Sequence, residues 1–143
     1  MKILDKLSNR WNGIDYPFLV HSNGSLKFSE VAEQPQVDLS EVKCGDVVAL
    51  IGDFDPQSIL KLLQLIDKSV ILVPLTVATK GQHEYFFESA LVNVVIEGNE
   101  VKRLNHSRKH DFIETLRVKG HAGLVLFSTG TTGRPKAILH DLT

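Results

Sequence analysis

Gly45-Asp46-Val47-Val48-Ala49-Leu50-Ile51, followed by Asp55-Pro56 and then by Val70-Ile71-Leu72-Val73-Pro74, is the stretch that sets the architecture. Residues 47–51 are a continuous apolar run with β-branched members, the pattern of a strand covered on both faces. Asp55 offers a helix-capping carboxylate, with Pro56 at the first helical position. Ile59, Leu60, Leu62, Leu63 and Ile66 follow at spacings of one, three and four, which turns one apolar helix face to a core. Residues 70–73 read as the next strand, ended by Pro74. Strand, helix and strand in this compass form a βαβ unit with parallel strands and a right-handed crossover.

The flanking segments extend this unit. Residues 1–16 read as a short helix and loop. Phe18-Leu19-Val20-His21 and Ser25-Leu26-Lys27-Phe28 flank Ser22-Asn23-Gly24, and Asn-Gly is a strong hairpin signal. Ser29 precedes a helical turn over 30–33 that Pro35 limits. Downstream, residues 82–90 suit a second helix burying Tyr85, Phe86 and Phe87. Residues 92–96 suit a third strand closed by Gly98-Asn99, and 107–118 a third helix with Phe112, Ile113 and Leu116 on one face. Gly123-Leu124-Val125-Leu126-Phe127 is a further buried strand. The expected fold class is α/β, a mainly parallel sheet with flanking helices, in which ligands sit at the carboxyl ends of strands.

Composition bounds the function classes. At 143 residues the chain fits one domain, spanning 1–143 and long enough to bury ~70% of its unfolded surface. A net charge of −1 argues against nucleic-acid and membrane-surface partners. The charge is uneven: residues 1–98 carry eight Lys/Arg against thirteen Asp/Glu, and residues 99–143 eight against four. A basic end is consistent with an anionic ligand and equally with solvated surface charge. Cys44 is the single cysteine, so no internal disulfide forms; a buried structural thiol is expected there, in a reducing compartment. The start lacks the apolar core of a signal peptide, and no apolar run approaches the ~20 residues that span a bilayer. A cytoplasmic location is the expectation.

Ser128-Thr129-Gly130-Thr131-Thr132-Gly133-Arg134-Pro135-Lys136 follows the last strand. Four hydroxyls, two glycines and a lysine at the end of a sheet suit polyphosphate. Glycine lets the backbone approach a ligand, successive N–H groups form an anion nest, and the lysine adds a point charge. A Walker A loop is excluded, because the fifth residue after Gly130 is Pro135 rather than glycine. A Gly-x-Gly-x-x-Gly loop is excluded because Gly130 and Gly133 stand three apart with no glycine at 128. Pro135 disfavours helix before it, so 136–140 reads as a returning strand. On residue types alone the segment is either a phosphate loop or an ordinary hairpin rich in threonine and glycine.

Residues 126–140, from Leu126 through the Ser/Thr/Gly run to Lys136-Ala137-Ile138-Leu139-His140, resemble the signature of the adenylate-forming superfamily. That family includes acyl-CoA synthetases, nonribosomal-peptide adenylation domains and firefly luciferases. Its pattern is small-Ser/Thr-Gly-Ser/Thr-Thr-Gly-x-Pro-Lys-Gly, and Ala137 replaces the final glycine. Ser25-Leu26-Lys27-Phe28-Ser29-Glu30-Val31-Ala32 is similar to the family's Leu-Thr-Tyr-x-Glu-Leu-Ala segment. The stretch from Gly45-Asp46-Val47-Val48-Ala49-Leu50 to Val73-Pro74-Leu75 is similar to its Gly-Asp-x-Val-Ala and Val-Val-Pro-Leu segments. The resemblance implies the N-terminal subdomain portion of an acyl-CoA synthetase-like large domain over 1–143. It also implies that the rest of the large domain and the C-terminal domain lie beyond Thr143, and that this portion is inactive alone.

The implied reaction has two steps. A carboxylate attacks the α-phosphate of ATP, leaving an acyl-adenylate and pyrophosphate; a thiol, coenzyme A or a carrier-protein arm, then takes the acyl group. Carried over by position, Ser128, Thr129, Thr131 and Thr132 donate to the β- and γ-phosphates, with Gly130 and Gly133 shaping the nest. Lys136, with Thr131, acts on the charge that builds on pyrophosphate. Mg²⁺ is implied too, with ligands outside this chain. Alternatives are a carrier-loading adenylation domain and a non-catalytic nucleotide-binding module.

Other residues carry weaker expectations. Arg134 occupies the family's variable position and is expected to be solvated. His140 matches a histidine often found after the lysine and is either substrate-proximal or a hydrogen-bonded strand-end residue. His106 and His110, four apart, resemble a metal pair without a third ligand and are expected at the surface. Asp53 and Asp55 resemble paired carboxylates, which helix capping by Asp55 explains better. An incomplete sheet would expose strand edges, so self-association is expected.

Overall fold

Three aromatic rings near the amino end of the chain, Trp11, Phe18 and Phe28, lock its first elements together. The computed structural model describes residues 2–35, 37–105, 108–129 and 133–143. Helix α1 (Ile3–Trp11) is followed by strands β1 (Leu19–His21) and β2 (Gly24–Leu26) and by α2 (Phe28–Ala32). β1 and β2 pair as the antiparallel hairpin that Asn23-Gly24 signals. Trp11, Phe18 and Phe28 then stack edge to face at 5.2 and 5.1 Å, tying helix, hairpin and helix into one layer. α2 begins at Phe28, one residue before the expected Ser29. The Lys27 N–H donates to Glu30 Oε1 at 3.0 Å, and Phe28 turns into the core.

The sheet is built from β3 (Val47–Ile51), β4 (Ile71–Leu75), β5 (Val94–Glu97), β6 (Glu100–Arg103), β7 (Gly123–Phe127) and β8 (Ala137–Asp141). Their spatial order is β6-β5-β3-β4-β7-β8. The four inner strands are parallel, and both outer pairs are antiparallel. Helix α3 (Pro56–Asp67) joins β3 to β4, α4 (His83–Ala90) joins β4 to β5 after a 3-10 turn at Val77–Gln82, and α5 (Asp111–Lys119) joins β6 to β7.

Period-two alternation along the strands feeds two cores. Val47, Ala49, Ile51, Ile71, Val73 and Val125 face α4 and α5, meeting Phe86, Ala90, Ile113 and Leu116. Val48, Leu50, Leu72, Val94 and Ile96 face the other way onto Leu65 of α3 and onto Leu39 and Val42. Fully buried Leu65, Ile71, Leu72 and Ile96 each contribute about 1.5–3 kcal/mol. Asp55 caps α3 as expected, accepting from the Ser58 N–H at 2.9 Å. Its carboxyl end is used as well: Asp67 accepts from the Ile3 and Leu4 N–H groups at 2.6 and 3.2 Å, capping α1.

Several expectations are corrected. Pro74 lies inside β4, opposite Leu50 in the β3 register. It is tolerated because its missing N–H would point toward β7, whose pairing with β4 extends only from Ile71↔Gly123 to Leu72↔Leu124. β6 was not expected; Gly98, at φ +59°, turns the chain directly back after β5. The third helix starts at Asp111, capped by His110 Nδ1, which accepts from the Phe112 N–H at 3.1 Å. Phe112 is exposed, while Ile113 and Leu116 are buried. On α3, Leu60 and Leu63 are buried as expected and Leu62 packs partly buried on the core, while Lys61 and Leu65 are buried where the periodicity pointed to Ile59 and Ile66; the Lys61 ammonium donates to the Gly98 carbonyl at 2.6 Å. Cys44 is exposed rather than buried, because it lies in the turn just before the sheet. Ser107 and His106 lie outside the described residues. No helix among the described residues is long and apolar enough to cross a membrane.

The entry to β3 is a polar knot. Gly45 adopts φ +85°, and a Cβ there would stand 2.7 Å from Arg117 Cγ. Asp46, 7% exposed, accepts from the Lys43 N–H at 2.8 Å, the Asn93 amide at 3.1 Å and Arg103 Nη2 at 3.0 Å. Asn93 in turn accepts from the Val47 N–H at 2.7 Å. Burial opposes ionisation of Asp46, but the hydrogen bonds from Arg103, Lys43 and Asn93 outweigh it and hold the carboxyl below its ordinary value. The Gly-Asp pair is therefore a structural device at the amino end of the sheet.

Candidate functional site: the β7–β8 hairpin

The end of β7 delivers the glycine- and threonine-rich segment to the carboxyl edge of the sheet. β7 and β8 pair antiparallel from Gly123↔Asp141 to Phe127↔Ala137, so strand, loop and strand form the hairpin expected from Pro135. At its base the Ser128 N–H donates to the Lys136 carbonyl at 2.9 Å. The Lys136 N–H donates to Ser128 Oγ at 3.1 Å. Ser128 thus closes the loop with its oxygen lone pair, while its hydroxyl hydrogen is left to donate to a ligand.

Among the loop residues, Thr129, Gly133, Arg134 and Lys136 are exposed. Gly133 adopts φ +81° with nothing within 4 Å of where a Cβ would stand, so backbone and space are open to an incoming group. The Lys136 ammonium has no hydrogen-bond or ion-pair partner among the described residues. Gly130, Thr131 and Thr132 lie outside the described residues. Ser128 and Lys136 are therefore brought together, Thr129 and Gly133 flank them, and Ala137 takes its place as the first residue of β8. His140 stands exposed within β8, paired with Leu124.

The hairpin is anchored at both ends. Phe127 packs on Phe86 of α4 with ring centroids 4.2 Å apart. The Tyr85 hydroxyl donates to the Pro135 carbonyl at 2.6 Å, and the Arg134 guanidinium lies over the Tyr85 ring at 4.8 Å. Arg134 is exposed as expected, with one face on an aromatic ring. At the far end of β8, Asp141 meets His121 Nδ1 at 3.0 Å. That contact, helped by the Thr143 N–H, holds the Asp141 carboxyl below its ordinary value. The local pattern marks Tyr85 only as a core aromatic of the second helix; fifty residues separate it from Pro135, and nothing local signals their contact.

The neighbouring strand ends are also tied down. Asp53 after β3 accepts from the Val77 N–H after β4 at 3.1 Å. The His83 Nε2–H donates to the Thr76 carbonyl at 2.9 Å; the carbonyl can only accept, which fixes that tautomer. Asp53 and Asp55 are each engaged by backbone N–H groups, so they do not act as a carboxylate pair. Between these ends a cavity of about 140 Å³ opens, lined by Leu50, Gly52, Phe54, Pro74, Thr76 and Leu126. It lies where β4 and β7 part, next to the point at which chain order reverses between β3 and β4, the usual ligand position in such sheets. Among the described residues no group of three His, Cys, Asp or Glu could hold a metal ion.

No protein-family model matches the chain, and no curated protein matches it. Solved structures do. The chain is similar to the N-terminal subdomain of Klebsiella oxytoca NpsA, with TM-score 0.63 and 20% identity over 95% of this chain and 40% of that one. It is similar to VinN, with TM-score 0.61 and 16% identity over 97% of this chain and 45% of that one. For CmiS6 the values are 0.61 and 14%, over 98% of this chain and 40% of that one. The chain therefore spans less than half the length of each neighbour. NpsA structures hold 3-hydroxyanthranilyl-AMSN and 3-hydroxybenzoyl-AMSN, and VinN structures hold 3-methylaspartate or L-aspartate. The fold is the one these proteins share, and it is the architecture that the resemblance to adenylate-forming enzymes implied.

Proposed function

We propose that the chain is the N-terminal part of an adenylate-forming ligase. Its β7–β8 hairpin would hold the departing pyrophosphate while a carboxylic acid attacks the α-phosphate of ATP. The observation that carries this reading is the hairpin itself: Ser128 and Lys136 close a loop rich in hydroxyls and glycine at the carboxyl edge of the sheet, with a lysine ammonium that has no partner among the described residues. The shared fold supports it, since NpsA holds adenylate analogues.

Charge grows on the leaving pyrophosphate in the transition state, and donors arranged beforehand stabilise it without reorganising. Lys136 supplies the positive charge. Ser128 and Thr129 donate hydroxyl hydrogens, Thr131 and Thr132 do so by the family pattern, and Gly130 and Gly133 let backbone N–H groups approach the oxygens. Mg²⁺ would supply charge that offsets the phosphates, and among the described residues no group of three His, Cys, Asp or Glu could hold it. Coenzyme A or a carrier-protein thiol would take the acyl group in the second step, and the protein acts in the cytoplasm.

The test is carboxylate-dependent ATP–pyrophosphate exchange in the intact protein that contains this chain. Lys136→Ala should lower exchange at least ~10-fold, since loss of one such donor elsewhere costs roughly 3–4 kcal/mol. Exchange unchanged by that substitution removes Lys136 from the mechanism.

A further inference from the structure

A second cavity lies at the opposite end of the sheet from the hairpin, where β3 begins and β6 ends. It measures about 570 Å³, within the range that takes a small organic ligand. Its floor is apolar: Val47, Leu91 and Ile113 are all buried. Its walls carry Arg103, Arg108, Lys109 and Arg117 against the single acid Glu114.

Two of these cations are already engaged. Arg103 pairs with Asp46 at 3.0 Å. Arg117 pairs with Glu114 and also donates to the Gly45 carbonyl at 3.1 Å. Arg108 and Lys109 have no carboxylate or hydrogen-bond partner among the described residues, and both are exposed. His110, beside them, is occupied in capping α5 through Nδ1. Among the described residues, then, two cations on the cavity wall lack an opposing carboxylate above an apolar floor.

We propose that this cavity binds a dianionic phosphate monoester carrying an apolar body, with Arg108 and Lys109 on the phosphate and Val47, Leu91 and Ile113 against the body. A phosphate monoester carries about −1.5 to −2 charge near neutral pH, which matches the two free cations. The guanidinium fork of Arg108 suits its planar pairs of oxygens, and Lys109 adds a point charge. The proposal does not depend on the function of the hairpin, because the two sites sit at opposite ends of the strands.

Three probes with the same ring body separate the contributions: 1-naphthyl phosphate, 1-naphthoate and uncharged 1-naphthol, titrated calorimetrically into the intact protein that contains this chain. Naphthyl phosphate should bind tightest and naphthol weakest. The double substitution Arg108→Ala with Lys109→Ala should weaken naphthyl phosphate by about tenfold or more and leave naphthol within about twofold. Lys136→Ala should not abolish naphthyl phosphate binding, and the loss caused by the double substitution should be the same with or without it. Both substituted side chains are exposed, and Lys109→Glu alone provides a second test of the same charge. Equal binding of the three probes overturns the proposal, as does phosphate binding that persists in the double variant or disappears with Lys136→Ala.

Discussion

Replacing Asp46 with asparagine keeps the side-chain shape but removes the charge that gathers three donors at the entry to β3. Asparagine offers one acceptor oxygen and one donor group. It cannot accept from the Lys43 N–H, the Asn93 amide and Arg103 together, so at least one donor faces another donor. Hydrogen bonds to a charged group contribute about 1.5–3 kcal/mol each. The Arg103 side chain is 46% exposed, and solvent screening reduces its share to ~1 kcal/mol or less. The expected destabilisation is about 2–3 kcal/mol at pH 7, a fall in Tm of roughly 5–10 °C for a chain of this size. Urea denaturation followed by circular dichroism measures it. The pH dependence is the sharper test. A carboxyl held below its ordinary value in the folded state adds stability that is fully present above the unfolded value, 3.8, and lost as pH falls through the folded value. The gap between parent and Asp46→Asn should stay nearly constant between pH 7 and 5, where the carboxyl is ionised in the folded and the unfolded chain, and narrow only in more acid solution. A gap under about 0.5 kcal/mol, or one that closes between pH 7 and 5, refutes the reasoning.

Three further outcomes follow from the packing. Gly45→Ala places a Cβ at φ +85° and 2.7 Å from Arg117 Cγ, so a loss of about 2 kcal/mol is expected in the same melts; an unchanged midpoint contradicts it. Tyr85→Phe removes the hydroxyl bond to the Pro135 carbonyl but keeps the ring beneath Arg134. Pyrophosphate affinity should fall about three- to fivefold, for a hydrogen bond of ~1 kcal/mol, and Tyr85→Ala should lower it further; calorimetry giving equal affinities for all three forms rules out the anchoring role. Leu126 and Ile138 are paired neighbours, 44% and 47% exposed, on β7 and the edge strand β8. The isolated chain should self-associate through this edge, and Ile138→Lys should reverse that in light scattering; a stable monomer at high concentration sinks this expectation.

Much of the fold was legible because it rests on local periodicity. The apolar run 47–51, the Asp55-Pro56 start and the Asn23-Gly24 turn each place an element by rules that act within a few residues, and each appears where expected. The strand–loop–strand form of 123–141 was legible for the same reason, through Pro135. Local rules fail where a partner distant in sequence decides. Pro74 ends a strand by local rules, yet it sits within β4 because β7 has already parted from that side. Lys61 looks like a surface residue, yet it is buried because the Gly98 carbonyl accepts from it. Cys44 is exposed although free cysteines are commonly buried.

The sequence alone determined an α/β sheet and a loop rich in hydroxyls and glycine at one strand end, since hydrophobic period and turn chemistry are properties of neighbouring residues. Tertiary structure alone decided how that loop is held and what else the chain presents. Tyr85 reaches Pro135, His83 and Asp53 fasten the adjacent strand ends, and Arg103, Arg108, Lys109 and Arg117 gather around one cavity. Those relations depend on which strands lie side by side. Strand order is set by the summed burial of two cores, and no segment encodes it by itself.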